Sequence, residues 1–332
     1  MVTRPHGSPA EAPSGSFAQR ARRRGMAVAW AVRSRAFLDL SRDRADSTLV
    51  LGSARSGTTW IGEVLDRNHD HRVIFEPFRP GTVPALQPFE GVRYLDPGDP
   101  SAPHRSALAA LLEGRIRNAW ADHTTRVLVA RRRLVKEIRA NCLGPWIATQ
   151  FPESAMVVVI RHPLDVVASR MTLGWKDHLD ELLEQHLPPD LSLPVVEQMN
   201  RLDDGVSRAM ACWVLETIVP LRLLPAGAGT IVLYERLQDS PLEGFSEILR
   251  HVGQVPDAAL QRAVDRPSRT SRPGVTADAR APGHELALTV DQREACRRLL
   301  ASVGLDALYD LQDKRPDANA LLRLRGAPGP SF

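Results

Sequence analysis

Cysteine is nearly absent from this chain: Cys142, Cys212 and Cys296 are the three in 332 residues, odd in number and far apart. No pair has metal-ligand spacing and no disulfide framework can be drawn, which implies reduced thiols in a cytoplasmic protein. Aromatics are scarce, at 5% of residues. Nucleic-acid binders usually present a dense basic stripe interleaved with aromatics. A formal net charge of only +4 gives no such stripe, so nucleic acid is set aside as a partner. Long apolar runs are also missing. Met26 to Val32 is the nearest, and Arg33 stops it far short of the about 20 residues that span a bilayer. No transmembrane segment is expected. Arg22-Arg23-Arg24 ahead of that run has the look of a signal n-region, but the apolar stretch is short and no small-residue cleavage site follows clearly.

What is present is ordinary for a globular protein: 43% hydrophobic and 25% charged residues, in a length that suits one large α/β domain. The most informative stretch is Ser47 to Trp60, STLVLGSARSGTTW. Thr48 to Leu51 reads as a buried strand, Gly52 to Gly57 as a turn, and Thr58 to Asp66 as a helix with Trp60, Ile61, Val64 and Leu65 on one face. Strand, glycine-bounded loop and helix start form an anion cradle, because the loop amides converge where the helix adds partial positive charge. The spacing nearly matches the nucleotide-triphosphatase loop G-x-x-x-x-G-K-[ST]. Gly52 and Gly57 take the glycine positions and Thr59 the last hydroxyl, but Thr58 stands where the lysine should be. The positive charge has moved into the loop, to Arg55.

Arg55-Ser56-Gly57-Thr58-Thr59-Trp60 resembles the 5'-phosphosulfate loop of sulfotransferases that use 3'-phosphoadenosine 5'-phosphosulfate (PAPS). Many members of that family have lysine at the Arg55 position, whereas the glycan-modifying branch commonly has arginine. The resemblance implies that Arg55, Ser56, Gly57, Thr58 and Thr59 hold the 5'-phosphosulfate and that Trp60 stacks near the adenine.

Other motifs follow along the chain. Val73 to Phe75 suits a strand ended by Pro77, which puts Glu76 at the carboxyl end, the sheet edge where ligands bind. Taken alone, Glu-Pro reads as a surface carboxylate in a turn; Phe75-Glu76-Pro77 resembles the glycan sulfotransferase pattern in which this glutamate is the general base. Leu134 to Ile138 is a further strand. Cytosolic sulfotransferases carry lysine-threonine-histidine there, so Lys136 aligns with the lysine that touches the sulfuryl group, while Ile138 replaces the histidine. Arg139 is a second cation candidate. Ala155 to Ile160, AMVVVI, reads as a buried parallel strand. Arg161-His162-Pro163 then opens a helix, with proline in its first turn. Arg161 and Ser169, eight positions apart, resemble the family's 3'-phosphate segment; a guanidinium gives a phosphate two parallel N–H bonds and the hydroxyl a third. His162 is a second-choice base. Tyr234-Glu235-Arg236-Leu237, after the strand Thr230 to Tyr234, resembles a stretch whose tyrosine lies near the adenine. Arg269 and Arg272, in a basic loop, align loosely with cations that close over the donor.

These readings define expectations. Residues 1–45 form a tail, disordered over Met1 to Arg20 and with a basic helix over Ala21 to Leu40, 46–313 a single P-loop-type α/β domain whose parallel sheet is flanked by helices on both faces, and 314–332 a second tail. The excursion from Arg79 to Thr125 supplies part of an acceptor pocket, and Met171 to Pro194 covers the site. Pro194 to Leu224 is helical, and Glu285 to Ser302 forms the last helix. The resemblance implies PAPS as donor, 3'-phosphoadenosine 5'-phosphate (PAP) as product, no metal, and a hydroxyl acceptor on a glycan or glycosylated small molecule. A P-loop kinase or triphosphatase, or a non-catalytic nucleotide-binding protein, stands as the alternative.

Overall fold

The computed structural model describes residues 37–199, 204–268 and 288–325. Its centre is a five-stranded, wholly parallel sheet in the order β3-β5-β2-β6-β7: β2 Ser47–Gly52, β3 His71–Phe75, β5 Arg132–Glu137, β6 Ala155–Ile160 and β7 Thr230–Leu233. β2 is central and buried along its whole length. Side chains alternate across a strand, so Leu49 and Leu51 enter the larger core while Val50 enters the smaller one on the opposite face. On the smaller side lie α1 (Thr58–Leu65), α9 (Pro241–His251) and α10 (Ala259–Asp265), whose Trp60, Phe245 and Leu260 are buried there. The larger side carries α3 (Gly144–Gln150), α4 (Pro163–Thr172) and α7 (Gly205–Leu223). The stretch 189–223 is two helices, α6 (Pro189–Met199) and α7, and the side chain of Asp204 caps α7 by accepting from the amides of Val206 and Ser207.

After β2 the chain goes to β3 on one side and later to β6 on the other. The loop after β2 therefore lies at a topological switch point, at the carboxyl edge where open α/β sheets bind ligands. That is how the fold brings residues near 55, 76, 136 and 161 to one edge.

Both expected tails contribute packing. β1 (Leu38–Asp39) pairs in parallel with β4 (Val129–Ala130), and Phe37 is buried. So 38–39 is strand, not helix. Asp39 places one carboxylate oxygen 3.2 Å from Arg72 and the other 2.8 Å from Arg133, all with side chains at most 1% exposed. Arg72 also meets Asp122 at 2.9 Å. Removing one partner of such a buried group leaves charge uncompensated, so Asp39→Ala is expected to cost about 3 kcal/mol in urea unfolding. At the other end, α12 (Ala318–Arg325) buries Ala320, Leu321 and Leu324 and packs against α7. Val290 begins the preceding helix, α11 (Val290–Ser302), behind a capping box formed by Thr289 and Gln292. Residues 285–287, also expected in that helix, lie outside the described residues, as do residues 1–20 and most of the expected N-terminal helix.

Candidate active site

The loop after β2 turns on two left-handed residues, Arg55 at φ +79° and Gly57 at φ +99°. Glycine is required at 57 for a second reason: a Cβ there would lie 2.3 Å from the Tyr234 ring. Arginine at φ +79° is strained, a feature that concentrates at binding loops. No side chain caps α1, which leaves its first-turn amides available for an anion. The Ser56 hydroxyl is buried with no hydrogen-bond partner.

The second phosphate motif meets this loop directly. Arg161 follows β6, and Ser169 lies two turns into α4. Arg55 Nε donates to Ser169 Oγ at 2.9 Å, and Arg161 Nη1 donates to the Arg55 carbonyl at 3.3 Å. The Arg161 guanidinium sits 4.6 Å from the Tyr234 ring centre and pairs with Asp165 at 3.2 Å. Its Nε is buried and makes no hydrogen bond. Burial, and then the nearby Arg161 charge, push the Arg55 pKa down. Two crowded guanidiniums, an orphaned hydroxyl, an orphaned N–H and an uncapped helix start are what a multiply charged anion relieves. The residues fit a nucleotide that carries phosphate at both ends.

Glu76 lies just past β3, also in the left-handed region, at φ +42°. Its amide donates to the Lys136 carbonyl at 2.8 Å and its carbonyl accepts from Trp120 Nε1 at 3.1 Å, so the backbone is pinned on both sides. The carboxylate takes Lys136 Nζ at 2.7 Å and Arg139 Nη1 at 3.0 Å. Burial pushes the Glu76 pKa up, but Lys136 and then Arg139 outweigh it and hold the group below the ordinary carboxylate range. A group with a depressed pKa stays ionised until the pH falls below its lowered value. The pH profile of kcat/KM is therefore expected to show no acid limb from Glu76 above about pH 4.5, the ordinary glutamate value. A Glu76-dependent limb near neutral pH, absent in Glu76→Gln, would contradict that ion pairing.

Sequence reasoning missed the buried carboxylates that brace this edge. Glu216, on α7, accepts from Ser53 Oγ at 2.6 Å, Arg170 Nη2 at 2.7 Å and His178 Nε2 at 2.8 Å. Arg170 also donates from Nε to the Ala54 carbonyl at 3.2 Å. Burial opposes ionisation of Glu216, but Arg170 and His178 hold its pKa well below the ordinary value. The loop is thus tied to α4 and α7 through one carboxylate. A glutamate inside the apolar run Val214–Pro220 was the available signal. Glu137, fully buried, accepts from the amides of Phe78, Ile138 and Arg139 at 2.8, 2.7 and 2.9 Å and so ties the turn after Glu76 to the turn after β5.

Two expectations change. Trp60 is only 4% exposed, packed edge-on against Phe245 at 4.8 Å and Tyr234 at 5.8 Å, so its ring is a core wedge, not an open stacking platform for adenine. His162 is fully buried, with Nε2 3.0 Å from the Asp310 carbonyl and burial lowering its pKa; no acceptor hydroxyl reaches it. Thr58 is buried at the helix start, Thr59 is half-buried, and Tyr234 begins the short helix α8 (Tyr234–Asp239) beside the loop. Arg269 and Arg272 lie outside the described residues. No metal-ligand cluster was visible in the sequence; the structure brings Asp66, Asp70 and His71 within 4.8 Å of one another after α1. His71 Nδ1 is already 2.6 Å from Asp70 there. The three cysteines are buried and free, and no described helix is long and apolar enough to cross a membrane.

A cavity of about 390 Å³ adjoins the loop at Ala54 and is lined by Arg139, the ion-pair partner of Glu76. Arg93, from the 79–125 excursion, lines it too, as do Trp175, Lys176 and His178.

Residues 48–257, more than half the chain, match the model of a sulfotransferase family. The chain belongs to that family, so it is a sulfotransferase, an enzyme of sulfuryl transfer to a hydroxyl-bearing acceptor, and the family generally draws on PAPS. That assignment sets aside the kinase and non-catalytic alternatives. The chain is similar to the sulfotransferase domain of the Synechococcus PCC 7002 olefin synthase, at 17% identity over 80% of this chain and 94% of that one, with a TM-score of 0.42. It is also similar to sulfotransferase STF9 from Mycobacterium avium, at 14% identity over 88% of this chain and 83% of that one, with a TM-score of 0.44. A sulfotransferase from Alicyclobacillus acidocaldarius gives 15% identity over 80% and 96%, with a TM-score of 0.40. Comparison with curated proteins returned no match.

Proposed function

We propose that this sulfotransferase moves the sulfuryl group of PAPS to a hydroxyl of a glycan, a glycolipid or a glycosylated metabolite, with Glu76 as the general base. One observation carries the reading: the loop arginine, Arg55, interlocks with both Arg161 and Ser169, at 3.3 and 2.9 Å, at the same carboxyl edge of the sheet as Glu76.

PAPS supplies a sulfuryl group activated by its bond to a good leaving phosphate. The residues do the rest. Arg161 and Ser169 anchor the 3'-phosphate, while Arg55, the hydroxyls of Ser56, Thr58 and Thr59 and the loop amides hold the 5' end. Holding both ends fixes the reacting bond in line with the acceptor oxygen. Lys136 and Arg55 meet the negative charge that grows on the sulfuryl oxygens and leaving phosphate. Lys136 pairs with Glu76 at 2.7 Å. Once that ammonium turns to the sulfuryl oxygens, Glu76 regains basicity and takes the acceptor proton.

The acceptor assignment leans on the arginine in the loop and on Phe75-Glu76-Pro77. It is tested by transfer of labelled sulfate from PAPS to an extract, followed by identification of the labelled product. A sulfated carbohydrate or glycoconjugate is expected; a labelled phenol or protein tyrosine as the sole product refutes it.

A further inference from the structure

The cavity that Arg139 lines has walls of two different chemistries. Its lining acids are already matched: Glu216 by Arg170 at 2.7 Å, Glu181 by Arg93 at 2.5 Å, and Asp177 by Arg208 at 2.8 Å. Trp175, 43% exposed, also lines the cavity, and Leu173 at 50% and Met171 at 39% precede it in the chain. These three alternate along one short segment that leaves α4. The segment is held in place: the amides of Leu173 and Trp175 both donate to the Arg170 carbonyl at 3.1 Å, and Gly174 makes the turn at φ +64°. The helix that carries Ser169 therefore also fixes this apolar segment, a lip from which Trp175 lines the cavity.

Bare polysaccharides give such a lip little to bury. Three large apolar side chains kept exposed in one short segment, one of them lining the cavity, mark a binding surface, because exposed apolar area is otherwise unfavourable. The cavity volume of about 390 Å³ is in the range of small-molecule sites and suits a compact polar head. We infer that the acceptor is an amphiphile: its hydroxylated head enters the cavity toward Glu76 and its hydrocarbon portion leaves across Met171, Leu173 and Trp175. This rests on the sulfotransferase reading above and narrows its acceptor from glycans in general to glycosylated lipids or glycosides with an apolar aglycone.

The test is calorimetric titration of the PAP-saturated enzyme with methyl β-D-glucoside and with octyl β-D-glucoside below its micellar concentration. Each methylene that is fully buried strengthens binding about fourfold, so the octyl form is expected to bind at least ~10-fold more tightly even when partly buried. Leu173→Asp and Trp175→Ala should each bring the ratio of the two affinities toward one, with the thermal midpoint as the check on folding. A ratio near one in the wild type overturns the inference, as does a ratio that survives both substitutions. So does a wild-type dimer on gel filtration that Leu173→Asp dissolves, since a second copy would then own the lip. Should the octyl preference hold while no hydroxyl compound is ever sulfated, the proposed acceptor chemistry fails and the apolar lip stands.

Discussion

Glu76→Gln is expected to cut turnover by ~10² to 10⁴ while PAP affinity stays within a factor of about two. The amide keeps the size of the side chain and can still accept from Lys136, but it cannot take a proton. The backbone that aims it is pinned independently, through the Lys136 carbonyl at 2.8 Å and Trp120 Nε1 at 3.1 Å, so the substitution acts on the carboxylate alone. Lys136 and Arg139 lose a counter-ion and become freer to hold the anionic donor, which is why PAP affinity should not fall. Single-turnover rates with a found acceptor, together with PAP titration, separate the two effects. Near-normal turnover would exclude Glu76 as the base.

Arg161→Ala is expected to weaken PAP binding by ~10² or more. Hydrogen bonds to charged groups are worth about 1.5–3 kcal/mol each, and a guanidinium can give a phosphate two. Lysine at 161 should recover only part of the loss, because a point charge lacks the fork. Asp165 would not be stranded by either change, since Lys314 Nζ holds its other oxygen at 2.8 Å. The loss can therefore be read as lost phosphate contact, with the thermal midpoint little changed.

Contiguous features were the legible ones. β6 runs over Ala155–Ile160, as read, because a strand buried on both faces shows as an unbroken apolar run. The loop from Gly52 to Gly57 was readable for the same reason, with its glycines and arginine side by side. β3 was read as starting at Val73, yet it begins at His71. Arg72 looks like a surface residue in sequence; it is buried because Asp39 and Asp122, 33 and 50 positions away, reach it. The same distant pairing hides Arg133 inside β5 and draws Phe37 to Asp39 into the fold. Of the site, each side chain was named from a local motif, but what braces it was not. Glu216 collects Ser53, Arg170 and His178 from three separate segments, and no local pattern announces that. Trp60 erred the other way: a motif position suggested a ligand contact, while its place on the apolar face of α1 already pointed to core.

The central claim, that residues 55–59 and the Arg161–Ser169 pair grip opposite ends of one nucleotide, is tested most directly by comparing PAP with adenosine 5'-phosphate on three proteins. In the wild type, PAP should bind ~10² more tightly, since only it carries the 3'-phosphate. Arg161→Ala should erase that advantage, whereas Arg55→Ala should weaken both ligands. Equal affinity of the wild type for the two nucleotides, or an advantage that persists without Arg161, would contradict the account.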